Sequence, residues 1–174
     1  AVLAAAGAVQ AQQYQEYMPL KQGNQWTYYK ANPVAKFAPW TVSVDQKYST
    51  IYHVDAFPGF PNGTWLGWSG NTLYAWSWEL NQWVSFLRFG ASVGTTYTVT
   101  IDGSLWNNTK VSVKSKTLKV ANPYLNINHT YVVHFTFQHP SLADAGVQEY
   151  MFDSGYGLVY WSEQSFAGPT TGWL

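Results

Sequence analysis

From Trp26 onward, apolar and aromatic residues recur at every second position in short runs broken by glycine, proline and asparagine. That is the period of strands with one face in a core and the other toward water. In Tyr131-Val132-Val133-His134-Phe135-Thr136-Phe137, positions 131, 133, 135 and 137 share one face, and His134 and Thr136 the other. Lys110-Val111-Ser112-Val113-Lys114 alternates likewise, but Leu118 and Val120 have the opposite parity, which predicts a bulge or break near Ser115-Lys116. Tyr74, Trp76 and Trp78 share a parity, and Phe86-Leu87-Arg88-Phe89 follows the polar Glu79-Leu80-Asn81-Gln82, so residues 71 to 89 read as a hairpin. No helical pattern of useful length occurs, and the connections are too short for crossover helices. The expectation is an all-β chain. It forms a single antiparallel β-sandwich or barrel-like domain over residues 17–174, preceded by an apolar N-terminal extension over residues 1–16. Its expected core holds Trp26, Val111, Val113, Tyr131, Val133, Phe135, Phe137 and Leu158.

The 174 residues suit one such domain, and with no cysteine it is held by its core alone. Nine basic residues balance nine acidic ones, so no net field favours nucleic acid or anionic lipid. Charged residues make up 10% of the chain, against roughly 25% in an average domain. Little charge repulsion then opposes association of copies. No apolar run reaches the ~18 residues of a membrane-spanning helix, so no membrane span is expected.

The first eleven residues, Ala1 to Ala11, are apolar and uncharged, and Val9-Gln10-Ala11 sets small side chains where a signal peptidase reads. Export follows, to a secreted or cell-surface location. If retained, the segment invites a second use: Val2, Leu3 and Val9 could fill apolar pockets of a neighbouring copy while the backbone adds a strand to a sheet edge. The first functional expectation is therefore a non-enzymatic extracellular structural subunit that self-assembles, with a filament as the outcome of a head-to-tail contact that does not close.

The alternative is a secreted polysaccharide-binding domain. Trp65, Trp68, Tyr74, Trp76, Trp78 and Trp83 form a dense aromatic set, and flat rings stack well on the apolar faces of sugars. Large aromatics at alternate positions more commonly line a buried sheet face, so exposure discriminates the two readings. Sequons begin at Asn62, Asn107 and Asn128.

Other chemistry is sparse. His129, His134 and His139 are spaced by five, which turns neighbours to opposite faces of a strand and prevents convergence on one ion. Asp144, Glu149 and Asp153 are a weak calcium candidate whose spacing matches no calcium loop. No metal site and no cofactor is expected. Gly67-Trp68-Ser69-Gly70 lacks the second spacer of a nucleophile elbow, and no phosphate-binding glycine loop occurs, so no enzyme is expected.

The ends of the chain carry a resemblance. Tyr17-Met18-Pro19-Leu20-Lys21-Gln22-Gly23-Asn24-Gln25-Trp26-Thr27-Tyr28 resembles the Y-x-P-L-x-x-G-N-x-W-x-Y opening of an uncharacterised family of exported bacterial β-rich proteins. The segment Glu149 to Val159 is similar to that family's E-x-x-x-A-P-G-V-G-L-V ending, with Asp153-Ser154 standing where Ala-Pro is usual. The resemblance implies export and a β-rich fold, and it carries no catalytic residues. Pro19 and Gly23 read as turn positions before the Trp26 strand, and Gly155 and Gly157 as a tight turn before Leu158.

Overall fold

The computed structural model describes residues 14–31, 39–101, 105–140, 145–165 and 168–174. Its strands are β1 (Gln25–Ala31), β2 (Pro39–Tyr48), β3 (Ile51–Asp55), β4 (Thr64–Ser69), β5 (Thr72–Ser77) and β6 (Gln82–Arg88). Then come β7 (Thr96–Val99), β8 (Thr109–Ala121), β9 (Asn128–Gln138), β10 (Gly146–Asp153), β11 (Gly157–Ser165) and β12 (Gly168–Trp173). Every pairing is antiparallel, and β1 pairs with β12, giving one twelve-stranded sheet that runs from β6 through β1 and β12 to β7. The sheet curls into a nearly closed barrel rather than splitting into a sandwich. No helix follows Trp26 among the described residues.

The remaining seam lies between β6 and β7, and one side chain bridges it. Tyr97 on β7 accepts the backbone N–H of Arg88 at 3.0 Å and donates to the carbonyl of Phe86 at 3.1 Å. The Arg88 guanidinium lies 4.3 Å from the centre of the Tyr97 ring. Burial pushes the Tyr97 hydroxyl up to about 12, so it remains a neutral donor.

Aromatic side chains fill the interior instead of leaving a channel. Phe86 meets Trp106 edge to face at 5.0 Å, Phe137 meets Tyr150 at 4.8 Å, and Phe89 meets Phe135 at 5.1 Å. One barrel end is plugged by the loop between β3 and β4, which sends Phe57 and Phe60 inward. Trp106 stacks on Phe60 at 5.3 Å and donates its indole N–H to the Gly59 carbonyl at 2.9 Å. The Tyr150 hydroxyl donates to the Pro58 carbonyl at 2.5 Å. Gly59 adopts φ +78, and a Cβ there would lie 2.7 Å from Val147 Cγ2, so only glycine lets the plug seat this deeply. The opposite end is capped by residues 14–20. Met18 is buried, Tyr17 stacks on Phe89 at 5.5 Å, and the Gly155 N–H donates to the Glu16 carbonyl at 2.9 Å.

Trp26, Val111, Val113, Val133, Phe135, Phe137 and Leu158 lie in this core as the periodicity predicts. Tyr131 does not. It takes φ 63 and is 68% exposed, so the chain turns locally and the alternation restarts at Val133; Val132 and Val133 are both buried. The parity change in β8 is real, with register shifts between Val113 and Ser115 and again before Leu118. Residues 72–88 form the expected hairpin, Trp76 opposite Trp83, but Trp78 falls in its turn rather than on β5.

Lys30 and Glu163 take the inner parity of their strands. Lys30 follows Tyr28 along the inner face of β1, its ammonium 3.9 Å above the centre of the Trp40 ring. Glu163 lies opposite buried Val147, and burial raises its carboxyl above the ordinary 4.5 despite the opposing pull of Lys30. A raised folded pKa contributes stability that is complete below the unfolded value and is lost as pH rises through the folded one. Glu149 has the opposite sign: its hydrogen bond with His134 lowers its carboxyl, so its contribution is lost on acidification. Glu163→Gln should therefore be more stable than the wild type at about pH 7 and lose the decline that begins above the ordinary carboxylate range, while the acid-side loss due to Glu149 persists. Urea midpoints at about pH 4 and about pH 7 check this.

Candidate functional site

The outer face of β3–β6 carries a row of partly accessible aromatic side chains. Inner positions of β5 are Leu73, Ala75 and Ser77, all buried, which turns Tyr74 and Trp76 outward. The β4–β5 register pairs Gly67 with Tyr74 and Leu66 with Ala75, so Trp65 stands across from Trp76. Trp76 pairs with Trp83, and His53 pairs with Trp65. The result is a row across four strands, His53–Trp65–Trp76–Trp83, beside a second row, Ile51–Gly67–Tyr74–Ser85. Ring centroids lie 5.4 Å apart for His53 and Trp65 and 5.5 Å apart for Trp76 and Trp83. Trp78, 69% exposed on the hairpin turn, meets Trp76 edge to face at 6.0 Å.

Three depressions cover this face. The largest, about 470 Å³, lies between the plug loop and the hairpin turn, with His53, Asn62, Trp65, Trp78 and Trp106 among its walls. A second, of about 200 Å³, shares Trp65 and Trp78 with the first. A third, of about 270 Å³, shares Ile51 and Trp83 with the second and reaches Gly67 and Tyr74. Together they trace a groove along β4, which at ~3.3 Å per residue is about 20 Å long. Gly67 forms part of its floor, and a Cβ there would stand 3.1 Å from Ile51 Cγ2.

Two polar atoms give the groove direction. His53 Nδ1 lies 2.7 Å from Asp45 Oδ1, which turns Nε2 toward Gly63. The Trp76 indole N–H is shielded and has no acceptor among the described residues.

The six aromatics singled out in the sequence thus divide. Trp65, Tyr74, Trp76 and Trp83 share the outer face, and Trp78 overhangs it from the turn. Trp68 has the parity of Leu66, packs against Phe89 at 5.2 Å and donates to the Met18 carbonyl at 3.0 Å, so its indole serves the cap. Trp65, Trp68, Tyr74, Trp76 and Trp83 are partly buried and Trp78 is exposed, while the inner positions of β5 go to Leu73, Ala75 and Ser77. His53, Ile51, Gly67 and Trp106 were not anticipated. Only the unusual placing of phenylalanines within a Pro/Gly loop, Phe57-Pro58-Gly59-Phe60, hinted at a plug with a cleft beside it.

The remaining candidates stay apart. His129 pairs with Asp153 at 2.9 Å, His134 with Glu149 at 2.7 Å, and His139 with Thr109 Oγ1 at 2.9 Å. Of the calcium candidates, Glu149 also accepts from Ser162 at 3.1 Å, and Asp144 lies outside the described residues. Among the described residues no three His, Cys, Asp or Glu converge on a common point. Val2, Leu3 and Val9 lie outside the described residues as well. Strand addition at the β6 or β7 edge would have to displace the Tyr97 bridge.

No protein-family model and no curated protein matches the chain. Among solved structures it is similar to a Bacteroides fragilis protein with a YmcC-like fold, for which export is inferred: TM-score 0.46, 11% identity, 90% of this chain and 96% of that one covered. It is also similar to a Parabacteroides distasonis chain inferred to be a lipoprotein, with TM-score 0.41, 9% identity and coverage of 90% and 95%. Such distant likeness says nothing about ligands.

Proposed function

We propose that this protein is an exported, non-enzymatic domain that binds a polysaccharide on the outer face of β3–β6. The observation that carries the reading is the row of outward-facing indoles, Trp65, Trp76 and Trp83, with Trp78 beside it. Partly accessible rings side by side present flat, rigid surface at small entropic cost, which suits the C–H-rich faces of pyranose rings. Export rests on the apolar Ala1–Ala11 segment with its small residues at Val9 and Ala11. No Asp or Glu is among the lining residues of the three depressions, and Asp45 beside them is engaged by His53, an arrangement that favours holding a glycan over cleaving it.

Affinity electrophoresis through gels carrying soluble glucans, mannans and xylans tests the reading. Wild-type protein is expected to be retarded in at least one gel, and Trp78→Ala to migrate faster in that gel with an unchanged unfolding midpoint, since Trp78 is largely exposed. Equal migration of both proteins in every gel would refute it.

A further inference from the structure

Resting on that reading, we infer that the groove takes an uncharged glycan and reads it along its length, across several consecutive sugar rings, rather than gripping a chain end. Three features of the molecule lead there. The depressions are joined pairwise through Trp65 with Trp78 and through Ile51 with Trp83, so the surface offers one continuous track instead of a closed pocket that would accept only a terminus. At about 20 Å, the track spans several pyranose rings in line.

The described walls of the track are aromatic, aliphatic, amide and hydroxyl groups, and none is Lys, Arg, Asp or Glu. A uronate or sulfate seated there would give up its hydration without a cation to receive it, which is strongly unfavourable. Asp45 stands behind His53, engaged with its Nδ1; its charge opposes an anionic ligand too.

The third feature is a pair of hydrogen-bonding groups on this face. The His53 imidazole and the Trp76 N–H belong to the same four-strand row with Trp65 between them. A hydroxylated chain supplies both donors and acceptors at successive rings, so one ligand can meet both.

The test is isothermal titration with neutral gluco-, manno- and xylo-oligosaccharides from disaccharide to hexasaccharide, alongside oligogalacturonates of matching length. Affinity for a neutral series should rise at least about tenfold from the shortest to the longest member, and oligogalacturonates should bind at least about tenfold more weakly. Gly67→Val, which fills the floor between Ile51 and Tyr74, should remove the gain with length and keep most of the short-chain affinity; Gly67→Ala serves if the valine variant does not fold. Length-independent binding would overturn reading along the chain and leave glycan binding intact. Tighter binding of oligogalacturonate would overturn the uncharged ligand. Binding of a proline-rich peptide with no response to any neutral glycan would overturn both this inference and the function it rests on.

Discussion

Trp106→Ala is expected to lower the stability of the domain by about 3–5 kcal/mol, the cost of emptying a large aromatic site in a packed core. Trp106 is 1% exposed and touches Phe60, Phe86 and Phe137. Its indole also ties down the Gly59 carbonyl of the plug loop. The truncation therefore removes both the filler and the tether of one barrel end. For a chain of this size the loss corresponds to a fall of roughly 10 °C in the unfolding midpoint. Calorimetry checks the value, and Trp106→Phe should recover part of the packing but not the hydrogen bond. A change below about 1 kcal/mol would mean that the plug is not seated as described.

The second large effect concerns binding. Trp83→Ala should weaken glycan affinity by at least about thirtyfold, the level of a hot-spot residue, because it removes the terminal ring of the row and the wall common to two of the three depressions. Its stability cost should be smaller than that of Trp106, since Trp83 is only half-buried and packs chiefly on Trp76. Titration calorimetry with a glycan that retards the wild type, beside a thermal melt of the variant, separates the two quantities. An unchanged affinity would place the ligand elsewhere.

Strand content, the β5–β6 hairpin and the parity change in β8 were legible in the sequence, because each is a statement about neighbours within one run. Val113 and Leu118 announce their bulge by parity alone. Closure into a barrel was not legible, since the β1–β12 pairing joins residues such as Tyr29 and Trp173 from opposite ends of the chain. Nor was the site. Trp65, Trp76 and Trp83 lie on three strands, and a register shift between Leu73 and Tyr74 helps decide which residues of β5 and β6 stand abreast. Tyr131 failed for another reason: a positive φ at a bulky residue is imposed by its surroundings and leaves no periodic mark.

The most direct measurement is a nitrogen–proton correlation spectrum of the indole N–H groups, recorded while a neutral oligosaccharide selected by gel retardation is added. Ten tryptophans give ten such groups. The groove account predicts concentration-dependent shifts at Trp65, Trp76, Trp78 and Trp83. It predicts none at Trp26, whose N–H donates to the Tyr156 carbonyl at the capped end, or at the buried Trp161. Shifts confined to indoles away from β4–β6, with those four unmoved at saturation, would contradict it.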